Sequence, residues 1–207
     1  IIELRRAYSE WYKKWYGVEL DPANEILPLI GSKEGIMHIS MAFLNEGDGV
    51  LVPNPGYPTY SSVSKLVGAK IYTYTLSEEN SWYPDFDALE AADAAGEISL
   101  ANTRLMWCNY PNMPTGANGS MELFEKLVAF GKKHNIVICH DTPYSFILND
   151  KPLSILSVEG AKDICIELNS MSKSHNMPGW RIGMLATNPR FREWILRVKS
   201  NMDSGMF

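Results

Sequence analysis

Cysteine is scarce in this 207-residue chain, and the three that occur, Cys108, Cys139 and Cys165, are odd in number and far apart. That excludes a disulfide framework, and no paired spacing suits zinc. Each lies in an apolar run that reads as a strand, so all three are expected to be reduced core thiols in a reducing compartment. Basic residues are also in deficit: Lys and Arg total 19 against 24 Asp and Glu, for a formal charge of −5. With no basic stripe, a nucleic-acid partner is not expected and a small-molecule ligand is. No stretch reaches the ~18 consecutive apolar residues of a membrane helix, and Ile1 opens no charged-then-apolar leader. A membrane partner is therefore not expected, and a cytoplasmic location is. Repeats, low-complexity tracts and linkers are missing too, which leaves one domain.

What is present is 45% hydrophobic and patterned. Leu4, Ala7, Tyr8, Trp11 and Trp15 recur at helical spacing, and Gly17 follows as a stop. "LPLI" is an apolar run that turns at Gly31-Ser32 into a helix predicted to end near Glu46-Gly47. "GVLVPN", "KIYTYTL", "TRLMWCNY", "NIVICHD", "DICIELN" and "RIGMLAT" read as strands. Helices are predicted around 58–67, 85–94, 123–133 and from about Pro189. Short apolar strands alternating with helices of 10 to 15 residues imply an α/β fold, an α/β/α sandwich with a mostly parallel central sheet. Ligands of such sheets bind beyond the carboxyl ends of the strands. The chain begins inside one helical pattern and stops in the tail of another, as expected of a piece of a longer protein.

Four stretches carry chemistry. In Gly31-Ser32-Lys33-Glu34 the free N–H groups of a first helical turn suit a phosphate, although glycine followed by an N-cap serine is also an ordinary helix start. Tyr57, in "NPGYPTY", is held between prolines after a strand end, where an aromatic can either stack on a flat ring or pack like any other tyrosine. In "VICHDTPYSF", Asp141 falls at the carboxyl end of a buried strand and needs a cationic or hydrogen-bonding partner; a turn-forming Asp is the alternative. His140, Asp141 and His175 lack the spacing of a metal site, and none is expected. Finally "SMSKSHNMPGWRIG" sets Ser170, Ser172 and Arg181 around Lys173. These are donors for a phosphate dianion beside a lysine whose covalent chemistry is a Schiff base with a carbonyl. A phosphate, a flat ring, an acid for a ring nitrogen and a lysine for an aldehyde together describe pyridoxal 5′-phosphate.

On "SMSKSHNMPGWRIG", with "GSKEG", "NPGYPTY", "NYPNMPTGA" and "HDTPY" in the same order, the chain resembles the class I, aspartate aminotransferase-like family of pyridoxal-phosphate enzymes. The likeness runs over nearly all 207 residues. It implies that Lys173 joins the cofactor aldehyde, Asp141 pairs with the pyridine nitrogen, Tyr144 hydrogen-bonds the phenolic oxygen and Tyr57 stacks on the ring. Gly31, Ser32, Lys33, Ser170, Ser172 and Arg181 would hold the phosphate. In the family an asparagine usually precedes Pro-Thr-Gly and donates to the phenolic oxygen; here Met113 stands there, and a thioether cannot donate. Asn112 or Asn109 would have to supply the amide, or Tyr144 acts alone.

The resemblance also implies that residues 1–207 are a cofactor-binding large domain, without the family's amino-terminal segment and carboxyl-terminal small domain, from a homodimeric parent. The implied reaction moves an amino group between an L-amino acid and a 2-oxo acid, with Lys173 carrying the α-proton. A carbon–sulfur β-lyase on the same cofactor and fold is one alternative; a non-catalytic cofactor-binding fragment is another.

Overall fold

The computed structural model describes residues 1–206. Seven strands form one sheet: β1 (Ile26–Leu29), β2 (Gly49–Asn54), β3 (Lys70–Thr75), β4 (Thr103–Asn109), β5 (Val137–Asp141), β6 (Cys165–Ser170) and β7 (Gly183–Ala186). Their order is β1-β7-β6-β5-β4-β2-β3, and every neighbouring pair is parallel except those that β7 makes with β1 and β6. The helices are α1 (Ile2–Tyr16), α2 (Ser32–Phe43), α3 (Pro58–Leu66), α4 (Phe86–Ala94), α5 (Met121–His134), α6 (Met171–Ser174) and α7 (Pro189–Met202).

Strand alternation sends successive side chains to opposite faces of the sheet. His140 and Glu167 look toward α1 and α5, where Tyr12 and Phe124 meet them. Asp141, Trp107 and Leu168 look the other way, toward Tyr60 on α3 and Gly35 on α2. Helices on both faces give the expected sandwich, and the buried runs of β4, β5 and β6 explain the near-continuous apolar strands. Cys108, Cys139 and Cys165 sit one on each of these three strands as buried free thiols.

Local chemistry sets the ends of the elements. Gly17 closes α1 in the left-handed conformation at φ 66°, a geometry that costs glycine nothing. Ser120 and Asn188 cap α5 and α7 by accepting from the backbone N–H groups of Leu123 and Phe191. The structure shortens α2, which stops at Phe43 rather than near Gly47, because Leu44 turns extended and buries its side chain, and Asp48 then takes up the Asn45 N–H. In α2, Glu34 accepts from His38 and from Lys199 of α7, and Lys199 also reaches Asp203. Those ion pairs tie α7 to the helix that starts at the Gly31 turn.

Candidate active site

The carboxyl ends of β1, β2, β4, β5 and β6 share one edge of the sheet, and β7 begins there. Along that edge Gly183 pairs with Ser170 on one side and with Leu29 on the other, and Asn109 pairs with Asp141. A pocket of about 300 Å³ opens on it. Gly31, Ser32, Lys33, Tyr57, Asp141, Tyr144, Ser170, Ser172, Lys173 and Arg181 all line this pocket, so ten of the eleven residues expected at a cofactor are brought together. A larger groove, about 660 Å³, lies between α4 and α5 and holds none of them. Convergent chemistry marks a site better than volume does.

One end of the pocket is built for an anion. Gly31 takes φ 94°, and a Cβ there would stand 2.5 Å from Arg181 Nη2. A Cβ on Gly183 would come within 2.8 Å of the Asn169 carbonyl and 2.9 Å of the Ser32 nitrogen. These two bare glycines let the α2 N-terminus, the β7 entry and the guanidinium crowd together. Arg181 donates to the carbonyls of Ile30 (3.1 Å) and Pro178 (2.9 Å), and its Nη1 lies 3.5 Å from Ser172 Oγ. No side chain caps the first turn of α2, so its N–H groups and dipole face the cup. Ser170 caps the four-residue α6 by accepting from the Ser172 N–H, which presents Lys173 on an exposed turn beside that cup.

At the other end lies a buried acid. Asp141 is 3% exposed. Its Oδ2 accepts from Tyr60 Oη at 3.0 Å, and its backbone carbonyl accepts from Asn109 Nδ2 at 2.7 Å. Oδ1 is buried with no partner among the described residues. Burial pushes the carboxyl up from the ordinary 3.8 to about 6, while the Tyr60 hydroxyl and nearby His140 pull it down. A buried carboxylate oxygen without a donor, on the wall of a pocket, suits a ring N–H cation. Tyr57 offers its half-buried ring nearby, with Lys33 Nζ 5.7 Å from the ring centroid. Burial also raises the Tyr144 hydroxyl, with the charges of Asp141 and Tyr57 adding to the effect. An anion cup, an aromatic face, an acid and a lysine thus fit pyridoxal 5′-phosphate.

A family model described as aminotransferase class I and II matches residues 1–204. The chain belongs to that family. These are pyridoxal-phosphate enzymes, and individual aminotransferases match across nearly the whole chain. The LL-diaminopimelate aminotransferase of Dehalococcoides mccartyi is 47% identical over 205 residues, which are 98% of this chain and 51% of that protein. The enzyme of the same name from Aquifex aeolicus is 45% identical over 99% of this chain and 52% of its own length. Substrate-bound BacF from Bacillus subtilis superposes with a TM-score of 0.94 at 38% identity, covering all of this chain and 51% of BacF. A probable N-succinyldiaminopimelate aminotransferase from Thermus thermophilus gives 0.90 at 31%, over 98% of this chain and 53% of its own. The chain spans about half the length of the curated relatives it matches.

The structure departs from expectation at Asn112, which does not line the pocket. Its carboxamide oxygen accepts from Thr115 Oγ1 at 2.8 Å, inside the turn, and its Nδ2 is buried without a partner among the described residues. Asn109, at the end of β4, lines the pocket instead, with Oδ1 accepting from the Met113 N–H at 2.6 Å. Met113 itself faces the pocket. His140, weighed as a metal ligand, lies on the opposite sheet face with Nδ1 2.9 Å from Glu167 Oε2 and Nε2 3.2 Å from the Tyr110 carbonyl. His175 packs edge-on to Trp11. Tyr60 went unnoticed in the sequence, although its place three residues after Tyr57 at a helix start puts both rings on one side.

Proposed function

We propose that this chain is the cofactor-binding large domain of a longer pyridoxal-phosphate-dependent aminotransferase. The full-length enzyme moves an amino group between an L-amino acid and a 2-oxo acid, acts as a homodimer and resides in the cytoplasm. The observation that carries this reading is the free oxygen of Asp141 in the same pocket as Lys173 and the Arg181 cup. When bound, pyridoxal 5′-phosphate supplies an aldehyde that takes up amines and a ring that drains charge from the amino acid's α-carbon.

The chain's own residues do the rest. Arg181, the α2 N–H groups and the Ser32, Ser170 and Ser172 hydroxyls bind the phosphate and fix the ring's position. Tyr57 covers one ring face, and Asp141 holds a proton on the ring nitrogen, which favours charge flowing toward it. Tyr144 donates to the ring oxygen. Lys173 would hold the cofactor's aldehyde and, with its amine free, would serve as the acid–base group at the substrate's α-carbon.

The relatives make LL-diaminopimelate the first substrate to try. Mixing it with the cofactor-loaded full-length protein is expected to shift the visible absorption band, and a 2-oxo acid is expected to restore it with one new amino acid formed per turnover. Release of ammonia and pyruvate from an amino acid bearing a β-thio leaving group, without amino transfer, would assign a β-lyase instead. An unchanged band with every amino acid tried would sink the catalytic reading.

A further inference from the structure

We infer that Tyr60 is a positioning residue that orients the Asp141 carboxylate and keeps it ionised, leaving Oδ1 alone to receive a ring N–H. The inference rests on the reading of Asp141 as the partner of the cofactor's ring nitrogen.

Three features on α3 and β4 carry it. The Tyr60 hydroxyl donates to Oδ2 at 3.0 Å, and both groups are buried. The Tyr60 ring is clamped against Trp107 at 5.1 Å between centroids and 6° between planes, so the hydroxyl cannot swing away from the carboxylate. Asn109 meanwhile fixes the Asp141 main chain by donating to its carbonyl. With the backbone and one oxygen held, the second oxygen has a single direction, toward the pocket. A carboxylate held by one hydrogen bond to a clamped ring loses the freedom to turn both oxygens inward, so orientation is settled before any ligand arrives.

The hydroxyl also bears on charge. A hydrogen bond donated to the ionised form favours that form, against the burial that disfavours it. Other groups near Asp141 act at longer range or more weakly: Ser32 from α2, the buried Cys108 thiol from β4, His140 from its own strand and Tyr144 from the turn that follows. Lys33, Lys173 and Arg181 are the cations lining the same pocket. Tyr60 is the donor at hydrogen-bond distance to the carboxylate, held there on the pocket wall by its stack on Trp107.

The test uses the full-length protein freed of cofactor, with pyridoxal phosphate added from about pH 5 to about pH 8 and binding followed by quenching of tryptophan fluorescence. Tyr60→Phe keeps the ring and its stack and removes the hydroxyl alone. Its dissociation constant near neutral pH is expected to rise about tenfold, the loss typical of one hydrogen bond to a charged group. The acid limb of its binding profile is expected to move to higher pH, because the carboxyl without its donor takes a proton earlier. In an Asp141→Asn background the same Tyr60→Phe change is expected to have little further effect. Trp107→Phe loosens the packing but keeps the hydroxyl, and is expected to lower the melting temperature while leaving the acid limb in place. The inference is overturned if Tyr60→Phe binds with the wild-type constant and profile, or if Trp107→Phe moves the limb as far. Failure of the wild-type protein to bind pyridoxal phosphate at any pH would instead strike the reading of Asp141 beneath it.

Discussion

Lys173→Ala in the full-length protein is expected to lose borohydride-stable attachment of pyridoxal phosphate and to slow amino transfer by about two to four orders of magnitude, the usual worth of a positioned acid–base group. The pocket makes this a discriminating experiment, because two lysines line it. Lys33 lies at the α2 N-terminus with its ammonium over the Tyr57 ring, on the side where the anion is held. Lys173 is offered by α6, a single turn whose first free N–H is satisfied by Ser170. Lys33→Ala should therefore weaken cofactor binding and leave the reducible link intact. Lys173→Ala should do the reverse, retaining non-covalent binding through Arg181 and the α2 N-terminus. Mass spectrometry of the borohydride-treated proteins reads both outcomes. Attachment that persists in Lys173→Ala and vanishes in Lys33→Ala would reassign the covalent role to the other lysine.

Glu167→Ala is expected to destabilise the protein by about 3–5 kcal/mol, because several buried donors lose their acceptor at about 1–3 kcal/mol each. Glu167 lies inside the sheet face covered by α1 and takes four hydrogen bonds: from Tyr12 Oη (2.9 Å), Ser154 Oγ (2.7 Å), the Ile155 N–H (2.9 Å) and His140 Nδ1 (2.9 Å). His140 is wedged between two partners, with Nδ1 on Glu167 and Nε2 on the Tyr110 carbonyl. Removing the carboxylate strands that ring, two hydroxyls and a backbone N–H in a buried site. At roughly 2–4 °C per kcal/mol for a domain of this size, the melting temperature should drop by about 6–20 °C. Glu167→Gln, which keeps the acceptor oxygen and loses the charge, should fall between. A loss below about 1 kcal/mol in urea unfolding would show that the network has rearranged around the gap.

Sequence pattern made the architecture readable because the strands are buried on both faces and the helices are long enough to show their period. α5 and α7 announced themselves through capping residues and an apolar stripe. α6 did not, since four residues cannot display a helical repeat. The reversed direction of β7 was equally silent: a short apolar strand looks the same whichever way it runs. At the site, the residues that combine unusual chemistry with a marked local context, Lys173, Arg181 and Asp141, could be read directly. Choosing between Asn109 and Asn112 needed the point at which β4 ends, because pairing with Asp141 turns Asn109 toward the pocket while the following turn consumes the oxygen of Asn112. Tyr60 was hidden among ten tyrosines, and its distinction is a contact 81 positions away along the chain.

The pairing of Leu27 with Leu185 has a consequence for how the protein is made. All four residues of β1 are buried in the finished sheet, and the neighbour that covers their backbone is β7. During synthesis β1 leaves the ribosome early and waits, apolar and unpaired, until almost the whole of this chain has followed. The cup for the anion, strung between the end of β1 and the start of β7, is then the last part of the pocket to close. Protease treatment of ribosome-bound chains of increasing length should find the segment around Leu27 cleavable until β7 has emerged; protection much earlier would mean that β1 docks on another partner first.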